Sequence, residues 1–162
     1  MLKKEDVVLH FKSSIDPKYR DELDSMFYFN RNQSRYVDRI NQSIEEYSKP
    51  IVVQENGEVA LVFKERETGQ TLHIFDGDYD EAVLIGVVMY VRDSKKRITI
   101  VHMAMHEECK RIHKEDGVNV VGLVLHEVLS IFKKMKGIET VRIYYIDREF
   151  SIDKLLRSGV QV

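Results

Sequence analysis

The sequence predicts a single α/β domain of the α+β type, with a mixed, mostly antiparallel central sheet and helices on both faces. Two helical patterns near the N-terminus, a series of β-branched segments in the middle and a long apolar helix followed by a strand lead to this prediction. The length of 162 residues fits one domain, which we place at 1–162 because no linker or repeat interrupts it.

The N-terminal region predicts a strand followed by two helices. Asp6–Lys12 is short and β-branched at its centre, as in a strand. Asp16 is a candidate N-cap with Pro17 at the first helical position. The apolar residues of the two helices recur at helical spacing and are Leu23, Met26 and Phe27 in the first, and Val37, Ile40, Ile44 and Tyr47 in the second. Pro50 should end the second helix.

The middle of the chain predicts an antiparallel meander. Its expected strands are Ile51–Val53, Val59–Phe63, Thr71–Phe75, Val83–Val91 and Ile98–Met105. Asn56-Gly57 predicts a tight hairpin turn between the first two, because both residues accept positive φ.

The last third predicts a helix, a strand and a short helix. Val120–Lys136 is apolar almost all round at its start, so we expect it to be central and covered on several sides, with Gly137 as its C-cap. Thr140–Ile146 should be a strand and Ile152–Arg157 the last helix. A crossover from Ile98–Met105 through the long helix predicts one parallel strand pair.

Composition excludes several classes of protein. The formal charge of −2 disfavours binding to nucleic acid. The longest apolar run, Ala82–Val91, is far shorter than the roughly 20 residues of a membrane helix. The N-terminus lacks a signal-peptide pattern and Cys109 has no second cysteine to pair with, so we expect a soluble, cytoplasmic protein.

The segment between the last predicted meander strand and the long helix is the most informative about function. Met103–Lys110 should end the strand, and Gly117–Gly122 should turn into the helix. Such a junction directs backbone N–H groups and the positive end of the helix at one place, which suits a phosphate or pyrophosphate.

With this order of elements, the chain resembles the GNAT superfamily of acyl-CoA N-acyltransferases from the first strand to about Val160. In that family the loop before the long helix carries R/Q-x-x-G-x-G/A; Asp116, Asn119 and Val121 fall at its Arg/Gln and two Gly positions. The resemblance implies transfer of an acetyl or other acyl group from acyl-CoA to an amine, with no metal. The residues it implies for binding acetyl-CoA are Met103, Met105, Asp116, Gly117, Val118, Asn119, Val120, Val121 and Gly122.

The C-terminal part is similar to the segment in which the family places a Tyr that protonates the leaving thiolate. Here Leu155 falls near that position. The family also continues into two final strands, so we expect the sheet edge to be covered by the hairpin region Ile51–Phe75 or by a second copy of the chain, as a homodimer.

An acyltransferase of this type needs a base near the strand end to deprotonate the amine. The candidates are His102, His106, Glu107 and Glu108, of which we select His106 and Glu108 as catalytic residues. Strand alternation would put His102 and His106 on one face, together with the side chains of Ile98, Ile100 and Ala104.

Two alternatives stay open. Val121, Asp116 and the missing Tyr favour a non-catalytic GNAT-like module that binds a small ligand or a protein. A metal-dependent hydrolase would use a second set of residues, namely His102, His106, Glu107, Glu108 and His113. That set needs helical spacing, because positions four apart on a strand are separated by about 13 Å.

Overall fold

A computed structural model describes residues 8–26, 36–65, 69–77, 82–106 and 120–158. The strands are β1 (Leu9–Lys12), β2 (Pro50–Glu55), β3 (Glu58–Phe63), β4 (Gly69–Asp76), β5 (Val83–Arg92), β6 (Arg97–Met105), β7 (Thr140–Ile143) and β8 (Arg148–Ser151). The helices are α1 (Arg20–Met26), α2 (Val37–Tyr47), α3 (Val120–Lys133) and α4 (Ile152–Ser158). Among these helices, none combines the length and the apolar character needed to cross a bilayer.

The main sheet has six strands in the order β1-β4-β5-β6-β7-β8. All neighbouring strands are antiparallel except β6 and β7, which are parallel and are connected through α3. The prediction of a mixed, mostly antiparallel α+β sheet is therefore confirmed, as is the parallel pair produced by the crossover.

Apolar layers cover both faces of this sheet. The eight residues between the ends of β5 are all buried, as expected of a strand with protein on each side. One face packs against α3 and α4, with Phe132 at its centre, and the other packs against α1, α2 and the β2–β3 hairpin through residues such as Leu23 and Leu61. The expectation of helices on both faces holds, and α3 buries seven of its 14 residues, of which all but Gly122 belong to the cluster that it forms with the sheet and α4.

The local signals at the first helix and the first hairpin are confirmed. The Asp16 carboxylate accepts a hydrogen bond from the Lys18 amide at 2.9 Å, and Pro17 opens a short 3₁₀ turn that leads into α1. Asn56 and Gly57 have φ values of 53° and 79°, as a tight hairpin turn requires.

The place of that hairpin differs from the prediction. β2 and β3 form a separate two-stranded sheet and are not part of the meander. Val59, Leu61 and Phe63 point from β3 onto the face of the main sheet. Alternation along β3 predicts one buried face, but it does not say which surface that face will cover.

The predicted strand Thr140–Ile146 is too long. β7 ends at Ile143, Tyr144–Ile146 forms a 3₁₀ turn, and Asp147 adopts a left-handed conformation at φ 50°. The chain then returns as β8 beside β7. β8 therefore occupies the edge for which we expected the hairpin or a second copy of the chain, and the homodimer stays a prediction.

A β-bulge changes the faces predicted for the histidine strand. Tyr90 is opposite Ile100 while Met89 is opposite His102, which leaves Val101 as the extra residue of β6. Ile98 and Ile100 consequently face α3, whereas His102 shares the opposite face with Met89 and Ala104. The prediction that His102 lies with Ile98 and Ile100 is wrong, because simple alternation does not hold across a bulge.

Candidate functional site

The candidate site lies where β6 and β7 separate. The two strands pair only through Arg97–Ile100 and Thr140–Ile143. β6 then continues to Met105 beside β5, whereas the chain after Ile143 turns away into the 3₁₀ turn. Because β7 stops pairing with β6 halfway along β6, the two strands diverge within the sheet. Polar side chains lie at this point.

A histidine and a tyrosine meet at the divergence. His102 is only 1% exposed, and its Nδ1 is hydrogen-bonded to the hydroxyl of Tyr145 in the 3₁₀ turn. The two rings meet edge to face, with centroids 5.9 Å apart. Tyr36, immediately before α2, stacks on Tyr145 at 5.7 Å and an interplanar angle of 20°. An imidazole with a half-buried hydroxyl as its partner is an arrangement that can take up and release a proton.

The neighbouring Tyr144 holds the 3₁₀ turn against α2. The Arg39 guanidinium donates to the Tyr144 carbonyl oxygen at 3.1 and 2.7 Å. The Tyr144 hydroxyl donates to Glu46 at 2.8 Å, and its ring meets that of Tyr47 edge to face at 5.6 Å. Burial and the bond to Glu46 raise the pKa of Tyr144 to about 12, so this hydroxyl stays protonated at neutral pH. Tyr144 is therefore an anchor, and it fixes the position of Tyr145 beside it.

Ion pairs complete the attachment of the turn. Asp147 accepts a hydrogen bond from Arg142 at 2.8 Å and lies 3.7 Å from Arg39. The hydrogen bond and the charge of Arg142 lower the pKa of Asp147. Because the carboxylate of Asp147 is exposed, we assign it the small stabilising effect of a surface ion pair.

The residues predicted to contact acetyl-CoA through β6 lie on the α3 side of the sheet. Met105 is 5% exposed and Met103 is half-buried against the same apolar cluster. Gly86 lies opposite Met105, and a Cβ added there would be 2.5 Å from the Met105 sulfur, so the glycine makes room for this side chain. His106 follows β6, and its amide donates to the Ile85 carbonyl at 2.8 Å.

The predicted phosphate-binding turn lies only in part within the described residues. Val120, Val121 and Gly122 form the first turn of α3, where Val120 is buried and Val121 is half-buried. The other predicted residues of this site lie outside the described ranges and are Glu108, Asp116, Gly117, Val118 and Asn119.

The geometry of β6 bears on the metal alternative. His102 lies on β6 and His106 is the residue that follows this strand, and so the helical spacing that would bring two such ligands onto one turn is not present. Glu107, Glu108 and His113 fall outside the described ranges. Within those ranges no group of three His, Cys, Asp or Glu residues is arranged to hold a metal ion.

The sequence does not predict that Tyr145 contacts His102 or that Tyr36 stacks on Tyr145. The predicted strand Thr140–Ile146 includes Tyr145, and a position inside a continuous strand gives no indication of a contact with His102. The adjacent aromatic pair Tyr144-Tyr145 was the available signal, since neighbouring residues of a regular strand point to opposite faces. In the 3₁₀ turn both rings instead contact residues of the α2 side, namely Tyr47 and Tyr36.

Comparison of the chain with family models, with curated proteins and with solved structures gives no match.

Proposed function

We propose that the protein is an N-acyltransferase that moves an acetyl or other acyl group from acyl-CoA to an amine. The observation that carries this proposal is the divergence of β6 and β7 with the His102–Tyr145 pair beside it. The order of elements supports it further, because β6 leads through α3 into a parallel β7, the arrangement expected from the GNAT resemblance.

In this proposal the acyl-CoA lies along the end of β6 near Met103 and Met105. Its pyrophosphate is bound by the turn that leads into α3 at Val120. The thioester then lies near the point where β7 leaves β6, and the acceptor amine approaches from the face that carries His102.

The reaction needs two proton movements. The amine nitrogen attacks the thioester carbonyl, the new N–C bond forms, the C–S bond breaks, and the proton lost by the amine balances the proton gained by the thiolate. We assign these movements to the Tyr145 hydroxyl, with His102 as the positioning residue and proton partner to which it is hydrogen-bonded. His106 and Glu108 stay the predicted candidates at the strand end.

The test has a binding arm and a turnover arm. Acetyl-CoA at a hundred times its dissociation constant should stabilise the fold by about 2.7 kcal/mol, which is read as a rise in Tm. Release of free CoA thiol in the presence of a panel of amines measures turnover. No stabilisation at millimolar acetyl-CoA would contradict the proposal, and binding without thiol release for any amine would favour the non-catalytic module.

Two matched variants test the assignment of Tyr145. Tyr145→Phe removes the hydroxyl on His102 and should lower kcat by about a hundredfold to ten-thousandfold while the affinity for acetyl-CoA is kept. Tyr36→Phe keeps the ring that stacks on Tyr145 and is the control. Equal activity of the two variants would remove Tyr145 from the mechanism.

A further inference from the structure

We infer that the β2–β3 hairpin is an acid-releasable element: a proton taken up by the buried His73 ring breaks the hydrogen bond from Leu61 and detaches the hairpin from β4. This inference does not depend on the proposed acyltransferase activity. It rests on how β3 is attached to the face of the main sheet.

The edge of β3 that faces away from β2 is bonded to groups outside the two-stranded sheet. Val59 exchanges two backbone hydrogen bonds with Ile15, both of 2.8 Å. Leu61 is held by two side chains of β4: its carbonyl accepts from the Thr71 hydroxyl at 2.7 Å, and its amide donates to His73 Nε2 at 3.1 Å. We call this arrangement of Leu61, Thr71 and His73 the Leu61 clip.

The clip fixes the protonation state of His73. Nε2 accepts from a backbone N–H, so it carries no proton. Nδ1 lies 2.9 Å from the Lys12 carbonyl oxygen, which can only accept, so the single proton of the ring is on Nδ1. Because both ring nitrogens have backbone partners with fixed roles, the docked hairpin requires a neutral imidazole.

The surroundings of His73 also disfavour a charge. The side chain is completely buried, and this burial lowers its pKa, while the hydrogen bond to the Lys12 carbonyl raises it by less. The charged and titratable side chains on the strands around it are His10 and Lys12 on β1, where Lys12 is the register partner of His73, Glu58 on β3, Asp76 on β4, and Tyr90 and Arg92 on β5. Directly opposite on β5 lies the apolar Val87. No charged side chain contributes to the shift among the described residues.

A proton on Nε2 would place two N–H donors against each other at the clip. The Leu61 amide would lose its acceptor and a charge would be buried beside apolar side chains, and both effects are costly. Detachment of the hairpin returns the ring to water, where its pKa is near the ordinary value of 6.5. Below that pH, the equilibrium constant for detachment should rise by up to about tenfold per pH unit.

Amide hydrogen exchange of the full chain tests the inference. Leu61 reports the clip and Val88, at the centre of β5, reports global unfolding. After correction for intrinsic exchange, we expect the protection factor of Leu61 to fall by up to about tenfold per pH unit below 6.5. Val88 should stay better protected than Leu61 at every pH. A constant protection factor of Leu61 between pH 7 and pH 5 would overturn the inference, and so would identical exchange of the two amides.

Two variants separate the proton from the rest of the clip. His73→Gln supplies an amide donor and an amide acceptor that do not titrate, so the pH dependence at Leu61 should disappear. Thr71→Val removes the other, non-titrating bond, and it should lower the protection of Leu61 by a constant factor at all pH values.

A measurement on the unmodified protein covers the case in which a variant fails to fold. Imidazole ¹⁵N shifts of His73 should show the Nδ1–H tautomer as long as the Leu61 amide is protected. A protonated ring that coexists with a protected Leu61 amide would contradict the inference.

Discussion

The packing of the hairpin on β4 predicts a steric effect of the substitution Gly69→Ala. Gly69 is the first residue of β4, and a Cβ added there would lie 2.1 Å and 2.5 Å from the Cδ2 and Cε2 atoms of the Phe63 ring. The ring is 6% exposed and belongs to the core between hairpin and sheet, so it has little room to move away. Overpacking of this kind costs about 1–3 kcal/mol. The reduced freedom of the unfolded chain offsets about 0.4–1 kcal/mol of this cost, so the net loss should lie between about 0 and 2.6 kcal/mol.

Urea unfolding at neutral pH measures this loss, and a double-mutant cycle identifies its cause. Phe63→Ala removes the ring, so adding Gly69→Ala to that variant should cost nothing further, and the coupling between the two sites should be about 1–3 kcal/mol. Gly57→Ala is the control. Its added Cβ meets no atom within 4 Å, but its φ of 79° strains any other residue, so its cost should be independent of Phe63. Additive effects of Gly69→Ala and Phe63→Ala would refute the placement of the hairpin.

Two further substitutions test the sheet itself. Asp93 accepts two hydrogen bonds of 3.0 Å from Arg97 and one of 2.6 Å from the buried Thr99; burial opposes its ionisation, but these bonds outweigh it and lower its pKa. Its contribution is therefore complete above the ordinary value of 3.8 and decreases below that pH by at most about 1.4 kcal/mol per pH unit. Asp93→Asn should cost about 1.5–3 kcal/mol in urea at pH 7 and less at pH 3, and an equal cost at both pH values would contradict this account. Phe132→Ala should cost about 3–5 kcal/mol, because the ring is fully buried and lies 4.8 Å from that of Tyr90, and a loss below about 1 kcal/mol would show that α3 does not pack on the sheet there.

The parts of the fold that the sequence predicts well are those with local physical causes. Asp16 before Pro17 caps the first helical turn, and Asn56-Gly57 accepts the positive φ values of a tight hairpin. The parallel pairing of β6 and β7 follows from an α3 crossover of this length. Each of these features depends on a few neighbouring residues or on a general rule of chain connection.

The parts that the sequence does not predict depend on partners that are distant in the chain. β8 carries charged residues at its start, as edge strands often do, and it pairs because Phe150 lies opposite Val141 and Glu149 meets Arg97. The hairpin leaves the meander because side chains of β4 hold Leu61.

In the candidate site, too, the contacts between residues distant in the chain could not be predicted from the sequence. Met103 and Met105 could be placed on one strand from the pattern alone, and the structure bears this out. The face of His102 could not be predicted, since it depends on the bulge opposite Met89. Tyr145 meets His102 only because the chain leaves β7 at Ile143, whereas the β-branched and aromatic residues up to Ile146 favour a continuing strand.

The most direct test of the proposed function is a titration of methyl-labelled methionines with acetyl-CoA, followed by NMR. Met103 and Met105 lie at the end of β6 where the cofactor should bind, whereas Met135 lies just after α3, beside the turn to β7 at the other end of the sheet. We expect the methyl signals of Met103 and Met105 to shift in a saturable manner and that of Met135 to stay unchanged. Unchanged Met103 and Met105 signals at millimolar acetyl-CoA would contradict the account.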